Sequence, residues 1–202
     1  MSQLCSRFLL SFVITMIATG LQAQPPTNDP IHTKASPAPE PAPDANEALR
    51  QAALQGDLAK VTASLTAGIS VDTVGEDQRT ALMLAAFNGH ADILDQLLKA
   101  GSDVGRIDSF GRTALHYAST GTSVDAIRML LAAGADVNRT DGEEKWTPLM
   151  YAAAEGHIDI VKTLLNAKAD PSSKDVDGET ALDFARNAGH KDAVARIEAA
   201  SQ

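Results

Sequence analysis

Residues 113–138 have the sequence TALHYASTGTSVDAIRMLLAAGADVN, and parts of this stretch recur along the chain at a fixed spacing. The Thr-x-Leu phrase at its start appears four times, at intervals of 33, 34 and 33 residues, and a degenerate copy lies 33 residues before the first. A constant period of this length is typical of proteins built from stacked helical units. The five copies begin at Glu47, Thr80, Thr113, Thr147 and Thr180.

Each unit is predicted to form two short helices joined by a tight connection. In the second unit, Thr80 stands where a side-chain oxygen can cap the first helix, and Gly89 stands where that helix should end. Small alanines on the first helix allow neighbouring units to approach closely. The second helix carries an apolar stripe at i, i+1, i+4 and i+5. In this unit the stripe consists of Ile93, Leu94, Leu97 and Leu98.

The turn after the second helix differs in the fourth unit. Gly101 and Gly134 close this turn in the second and third units, whereas Lys168 takes the equivalent place in the fourth. Glycine adopts a left-handed backbone conformation without the steric cost that a side chain brings. We therefore expect the turn at Lys168 to be strained or altered.

Composition and motif content exclude several classes of protein. The 202 residues include 17 Lys and Arg against 26 Asp and Glu, which gives a formal net charge of −9. This balance argues against nucleic-acid binding, which needs cations to neutralise phosphates. The single cysteine, Cys5, excludes a disulfide framework. The sequence has no catalytic motif, phosphate-binding glycine loop or zinc-type histidine pair, so we expect no enzyme activity, cofactor or metal site.

Residues 1–23 have the layout of a secretory signal peptide. Arg7 precedes an apolar run over residues 8–18, and the small residue Ala23 precedes Gln24 at a candidate cleavage point. The alternative, an uncleaved membrane anchor, needs about 20 apolar residues, which is more than this run supplies. We therefore expect an exported protein that keeps no membrane anchor once the signal is removed.

Residues 24–44 contain seven of the chain's nine prolines. Proline alternating with alanine and glutamate favours an extended polyproline conformation and removes backbone hydrogen-bond donors. We expect this segment to be a disordered, semi-rigid linker. The alternative is a ligand for a proline-binding groove.

The remaining residues, 45–202, resemble the ankyrin repeat family. Thr113-Ala114-Leu115-His116 departs from the family's Thr-Pro-Leu-His signature only at its second residue, and Thr147-Pro148-Leu149-Met150 departs only at its last. The resemblance implies an all-α ankyrin-repeat solenoid with short β-turn tips, in which each unit packs on its neighbours. The five repeats are expected at about residues 46–78, 79–111, 112–145, 146–178 and 179–202.

The resemblance also implies a structural role for the histidines. His90, His157 and His190 follow the glycine that joins the two helices of a repeat, and His116 belongs to the Thr-x-Leu-His phrase. In the family, imidazoles at these positions tie the turns of one repeat to the next. Metal ligation, the alternative, would need a pairing of ligands that the sequence lacks.

In ankyrin-repeat proteins the partner binds a concave face made by the turn tips and the variable ends of the first helices. Carried over position by position, this face includes the chain's only Trp and two of its Phe residues, and Trp is enriched in binding hot spots. The turn before Thr147 is one residue longer than the others, which is expected to push Trp146 or its neighbours outward. Alternatively, Phe110 and Trp146 fold back onto their own turns. The predicted partner-binding residues are Arg79, Phe87, Asn88, Phe110, Arg112, Thr120, Lys145, Trp146, Glu155, Asp177 and Glu179.

Charge is distributed unevenly along this face. Arg79, Arg106 and Arg112 lie toward its N-terminal half, whereas Glu143, Glu144, Glu155, Asp177 and Glu179 lie toward the other half. A mixed solvated surface would account for this distribution. If the distribution is instead the footprint of a partner, that partner should carry acid at one end and base at the other.

These observations lead to one functional hypothesis and one alternative. An ankyrin array exported by a short signal resembles a group of bacterial periplasmic proteins, some of which assist an enzyme such as a catalase while others act as immunity proteins. We therefore expect a monomeric periplasmic protein that binds another protein, a periplasmic enzyme or effector, and protects, assists or inhibits it. The alternative is a passive envelope scaffold held in place by the proline-rich segment.

Overall fold

A computed structural model describes residues 44–75 and 77–201. The predicted signal peptide, residues 1–23, and residues 24–43 of the predicted linker lie outside the described residues. Within the described part, the chain forms ten helices and no strand. The prediction of an all-α fold is therefore confirmed for the repeat region.

The ten helices follow one another as five pairs, one pair for each copy of the repeated phrase. We call the first helix of each pair the inner helix and the second the outer helix. The inner helices are α1 (Ala45–Gln55), α3 (Ala81–Asn88), α5 (Ala114–Thr120), α7 (Pro148–Glu155) and α9 (Ala181–Ala188). The outer helices are α2 (Leu58–Thr66), α4 (Ala91–Lys99), α6 (Val124–Ala132), α8 (Ile158–Asn166) and α10 (Lys191–Ala200).

Successive pairs stack in the order in which they occur along the chain. Each inner helix packs against its own outer helix and against the inner helix of the next pair. The outer helices form a second row, in which each helix contacts the next. This nearest-neighbour packing is the solenoid arrangement that the 33-residue period predicts.

Small and aliphatic side chains fill the spaces between the pairs. Ala85 of α3 is fully buried, which lets the neighbouring inner helices approach closely. Of the apolar stripe predicted on α4, Ile93, Leu94 and Leu97 are buried and Leu98 is half-buried. Burial of such side chains, at roughly 1.5–3 kcal/mol each, supplies most of the stabilisation of the stack.

The repeated threonine marks the start of an inner helix in four of the five pairs. The Thr80 hydroxyl oxygen accepts a hydrogen bond from the Met83 N–H at 3.3 Å, and Thr147 caps α7 through Met150 at the same distance. These bonds satisfy N–H groups that have no partner within the helix. The phrase therefore sets the position at which each of these units begins.

Lys168 keeps the turn that glycine makes in the first three repeats. Its φ is +70°, close to the +88° of Gly101 and the +92° of Gly134. The Lys168 N–H still donates to the Leu165 carbonyl, at 3.0 Å. The turn therefore follows the same path, and the strain that was expected at this position is the left-handed backbone conformation of Lys168 itself.

Replacing Lys168 with glycine should raise the free energy of unfolding by up to about 1 kcal/mol. Relief of the left-handed conformation, roughly 1–2 kcal/mol, outweighs the entropy that glycine adds to the unfolded chain. Urea denaturation of the purified protein measures the change. Lys174→Gly is the matched control, because Lys174 is exposed and its φ is not positive, so this variant should be less stable than the wild type. A lower midpoint for Lys168→Gly would contradict strain at this turn.

Candidate protein-binding face

The turns that precede inner helices α3, α5, α7 and α9 form a set of equivalent tips, residues 75–79, 108–112, 141–146 and 175–179. We call them the second, third, fourth and fifth tips, after the repeat whose inner helix follows. Each tip is closed by a backbone hydrogen bond across its base. The Asp108 N–H donates to the Arg112 carbonyl, and the Asp141 N–H donates to the Trp146 carbonyl, both at 3.0 Å. The same bond closes the second tip at 3.2 Å and the fifth at 3.0 Å.

Neighbouring tips are also joined to one another through their backbones. The Ser109 N–H donates to the Asp77 carbonyl at 2.9 Å, and the Gly142 N–H donates to the Phe110 carbonyl at 2.8 Å. A third bond, from the Val176 N–H to the Glu144 carbonyl, measures 3.1 Å. The four tips therefore form one continuous, hydrogen-bonded row.

Gly111 allows two of these tips to approach closely. Its φ is +76°, and a Cβ at this position would lie 2.6 Å from the Gly142 Cα. Only glycine satisfies both the backbone conformation and the lack of space. The equivalent position in the longer fourth tip is Lys145, which has a φ of +58° and is exposed.

Two tyrosines of the inner helices, Tyr117, which is buried, and Tyr151, which is half-buried, bind the third and fourth tips. The Tyr117 hydroxyl donates to Asp108 Oδ2 at 2.7 Å, and the Tyr151 hydroxyl donates to Asp141 Oδ2 at 2.8 Å. Burial raises the pKa of both tyrosines, so they remain neutral donors at physiological pH. Burial also raises the pKa of Asp141. These bonds fix the tips to their own inner helices and make the row rigid.

Two of the three cations predicted for the N-terminal half of the face are already paired, and the third, Arg106, is exposed. Arg112 Nε donates to Asp108 Oδ2 at 2.9 Å, and its guanidinium lies 4.8 Å from the centre of the Phe110 ring. Arg79 forms an ion pair with Asp77 of its own tip. Both arginine side chains are largely buried. They support the tips and offer little free positive charge to a partner.

Trp146 does not project from its tip, contrary to the expectation that this residue is part of the exposed face. It is 8% exposed, and its ring centre lies 4.3 Å from that of Phe184 and 5.2 Å from that of Tyr151. Its backbone is held at both ends, because its N–H donates to Asp141 Oδ1 at 3.0 Å and its carbonyl closes the tip. The additional residue of the tip is accommodated farther out, by Glu143, Glu144 and Lys145.

A local sequence signal identifies the position of Trp146. Thr147 is the residue that caps α7, so Trp146 stands immediately before the cap and Tyr151 is the fourth residue of the helix. An apolar residue before the cap commonly packs on the fourth helical residue, an arrangement called the hydrophobic staple. In the third repeat, Arg112 and Tyr117 stand at the same two positions, and the guanidinium lies 4.9 Å from the centre of the tyrosine ring.

The other predicted partner-binding residues divide into exposed and half-buried groups. Phe110 is 37% exposed on the row of tips, despite its contact with Arg112. Phe87 is half-buried, and its ring centre lies 6.5 Å from that of Tyr117. Asn88, Lys145 and Asp177 are exposed, whereas Thr120, Glu155 and Glu179 are half-buried.

Sequence analysis did not identify Val176 on the tips, whereas it placed Glu143 and Glu144 on this face without including them in the partner-binding set. Val176 is 50% exposed between the two aspartates of the last tip. Glu143 is exposed and Glu144 is half-buried in the fourth tip. Burial, and after it the neighbouring carboxylates, raises the pKa of Glu144.

Histidine imidazoles join successive repeats, as the resemblance implied. His90 Nε2 lies 3.2 Å from the Leu54 carbonyl of the preceding inner helix. His157 and His190 make the equivalent contacts with Thr120 and Ala154, at 3.2 and 3.0 Å. The third repeat is different, because Ser123 takes this place and its hydroxyl accepts the Ala126 N–H of its own outer helix at 3.2 Å.

His116 makes a different link, from an inner helix to the next tip. Its Nδ1 accepts the Thr113 N–H at 3.0 Å, which leaves the proton on Nε2 to donate to the Trp146 carbonyl at 3.2 Å. Burial lowers the pKa of this imidazole from its ordinary value of 6.5 to about 4. A neutral His116 therefore connects the third repeat to the fourth tip.

The described part of the chain contains neither a metal-binding cluster nor a membrane-spanning helix. None of its groups of three or more His, Cys, Asp or Glu residues could hold a metal ion. None of its helices is both long enough and apolar enough to cross a bilayer.

Comparisons with known proteins agree with the stacked helical pairs. A family model described as ankyrin repeats (3 copies) matches residues 49–141, and a second, described as ankyrin repeats (many copies), matches residues 130–185. Among curated proteins, the chain is 46% identical over 48 residues to Protein HOS4 of Saccharomyces cerevisiae. The match covers 24% of this chain but only 4% of the yeast protein.

Stability should depend on pH through His116. The folded state excludes a proton that the unfolded chain binds below pH 6.5, so the free energy of unfolding should fall as pH decreases from 6.5 to about 4, by about 3 kcal/mol. His116→Met removes the titrating group and introduces the residue found at this position in the second and fourth repeats, Met83 and Met150.

Denaturant unfolding at pH 7.5 and at pH 4.5 measures the free energy of unfolding of the wild type and of His116→Met. His116→Met should be less stable than the wild type at pH 7.5 by about 1 kcal/mol, because the bond to the Trp146 carbonyl is lost. The variant should then lose less stability on acidification than the wild type does. Equal losses for the two proteins would contradict the assignment of the acid sensitivity to this imidazole.

Proposed function

The chain belongs to the ankyrin-repeat proteins, and on that premise we propose that it is a periplasmic protein that binds a folded protein partner through its row of tips. Ankyrin repeats mediate binding to other proteins and are generally interaction modules rather than enzymes. The proposed partner is a periplasmic enzyme or effector, which the bound array protects, assists or inhibits. The signal-like layout of residues 1–23 supports the location.

The observation that carries the proposal is the exposed ring of Phe110. This side chain is 37% exposed on a tip whose backbone is bonded to both neighbouring tips. Arg112, held by Asp108, supports the ring at 4.8 Å. A partner can therefore cover an apolar surface that is already fixed in place, with little loss of conformational entropy.

A photo-reactive residue in place of Phe110 should capture the partner. We expect p-benzoylphenylalanine at position 110 to give one discrete crosslinked species in living cells upon irradiation. Leu58 is the matched control position, because it is 40% exposed but lies at the start of outer helix α2. Crosslinking of the same species from position 58, or of none from position 110, would reject the row of tips as the binding face.

Export is tested separately, by expression of the full chain in a Gram-negative host. The signal should be removed, and N-terminal sequencing of the mature protein should begin at or near Gln24. Osmotic shock should release this mature protein. Retention of the full-length chain in the cytosol would reject the proposed location but not the binding face.

A second candidate function follows from the proline-rich segment. Seven prolines within residues 24–44 favour an extended spacer, which suits a scaffold that is tethered to the cell wall. In the same fractionation, a scaffold would remain with the wall, and deletion of residues 24–44 would release it. Release of the intact mature protein by osmotic shock favours the binding protein.

A further inference from the structure

The fourth and fifth tips carry a large excess of negative charge. Residues 141–146 and 175–179 together contain six acidic residues and a single cation, Lys145. Two of the six, Asp141 and Asp175, are buried and accept hydrogen bonds from the backbones of their own tips. Among the described residues, Glu143, Glu144 and Asp177 form no ion pair. Their charge is therefore not neutralised within the repeat region.

Of the three arginines predicted for the opposite half of the row, Arg79 and Arg112 are half-buried, and Arg106 is exposed just before the third tip. Arg79 is paired with Asp77, and Arg112 is paired with Asp108. The expectation of a partner with acid at one end and base at the other therefore stays a prediction, which now depends on Arg106. The fourth and fifth tips, which include the single cation Lys145, carry mainly negative charge.

Exposed apolar side chains lie on both sides of the acidic fourth tip. Phe110 precedes it and Val176 follows it, and both are bonded to it through their backbones, at 2.8 and 3.1 Å. Their side chains are 37% and 50% exposed. Neither the closure of the tips nor the bonds between them use these side chains, so the fold does not require them to be apolar.

We infer that the surface formed by Phe110, Glu143, Glu144, Val176 and Asp177 binds a basic segment of the partner protein, in which Lys or Arg residues lie next to apolar ones. The inference rests on the proposed function and specifies the chemistry of the partner. The cations of the segment lie against the three free carboxylates, and its apolar side chains cover the phenylalanine and the valine. A nucleic acid is repelled by these carboxylates.

The test is a selection from a random peptide library displayed on phage, with the purified chain immobilised. Peptides selected on the wild type should be enriched in Lys or Arg together with apolar residues. Synthetic versions should bind about tenfold more weakly to the triple variant Glu143→Gln, Glu144→Gln, Asp177→Asn, and more weakly to the wild type as salt is raised.

The matched control is the triple variant Asp92→Asn, Asp125→Asn, Asp192→Asn. It changes the net charge by the same amount, but its three carboxylates are exposed in the first turns of outer helices. It should bind the selected peptides as the wild type does. Circular dichroism establishes that both variants are folded.

Several outcomes would overturn the inference. The first two are a failure to select any peptide and a selection of peptides without a preference for Lys or Arg. The others are that the tip variant binds the selected peptides as tightly as the wild type does, or that the control variant binds them as weakly as the tip variant does. Any of these combined with a crosslinked species from position 110 would leave the proposed function standing and reject only the basic segment. Absence of that species would instead reject the binding face itself.

Discussion

The spacing between neighbouring repeats is the constraint on which the rest of the structure depends. A single helical pair cannot bury its own apolar face, so every pair relies on the next one lying at a fixed distance. At one end of the inner helices this distance is set by the imidazoles, for example by His90 against the Leu54 carbonyl. At the other end it is set by backbone bonds between the tips, such as the bond from Gly142 to Phe110.

Much of the fold could be predicted because its determinants are local. The threonine caps, the apolar stripes and the left-handed turn at Lys168 each depend on a few adjacent residues and on the 33-residue period. The links made by His90, His157 and His190 were expected from the resemblance, since each is determined by its position within the repeat. These features recur, and a recurring feature can be recognised in one sequence.

The binding face was harder to predict because it depends on contacts between repeats. The burial of Trp146 requires Phe184, which lies 38 positions later and becomes its neighbour only when the fourth and fifth repeats stack. The charge pattern could be predicted only in part for a related reason, since a count of arginines does not reveal that Arg112 is already bound to Asp108. The sequence therefore does not reveal which side chains of the tips are exposed, whereas the structure does.

The bonds between tips use main-chain atoms alone, and this has a consequence for evolution. Side chains at positions such as Phe110, Glu144 and Val176 can be exchanged without disturbing the connection between one repeat and the next. Natural selection can therefore alter what the protein recognises while the scaffold stays the same. Duplicated genes of this kind could diverge rapidly toward new targets by substitutions confined to a few codons per repeat.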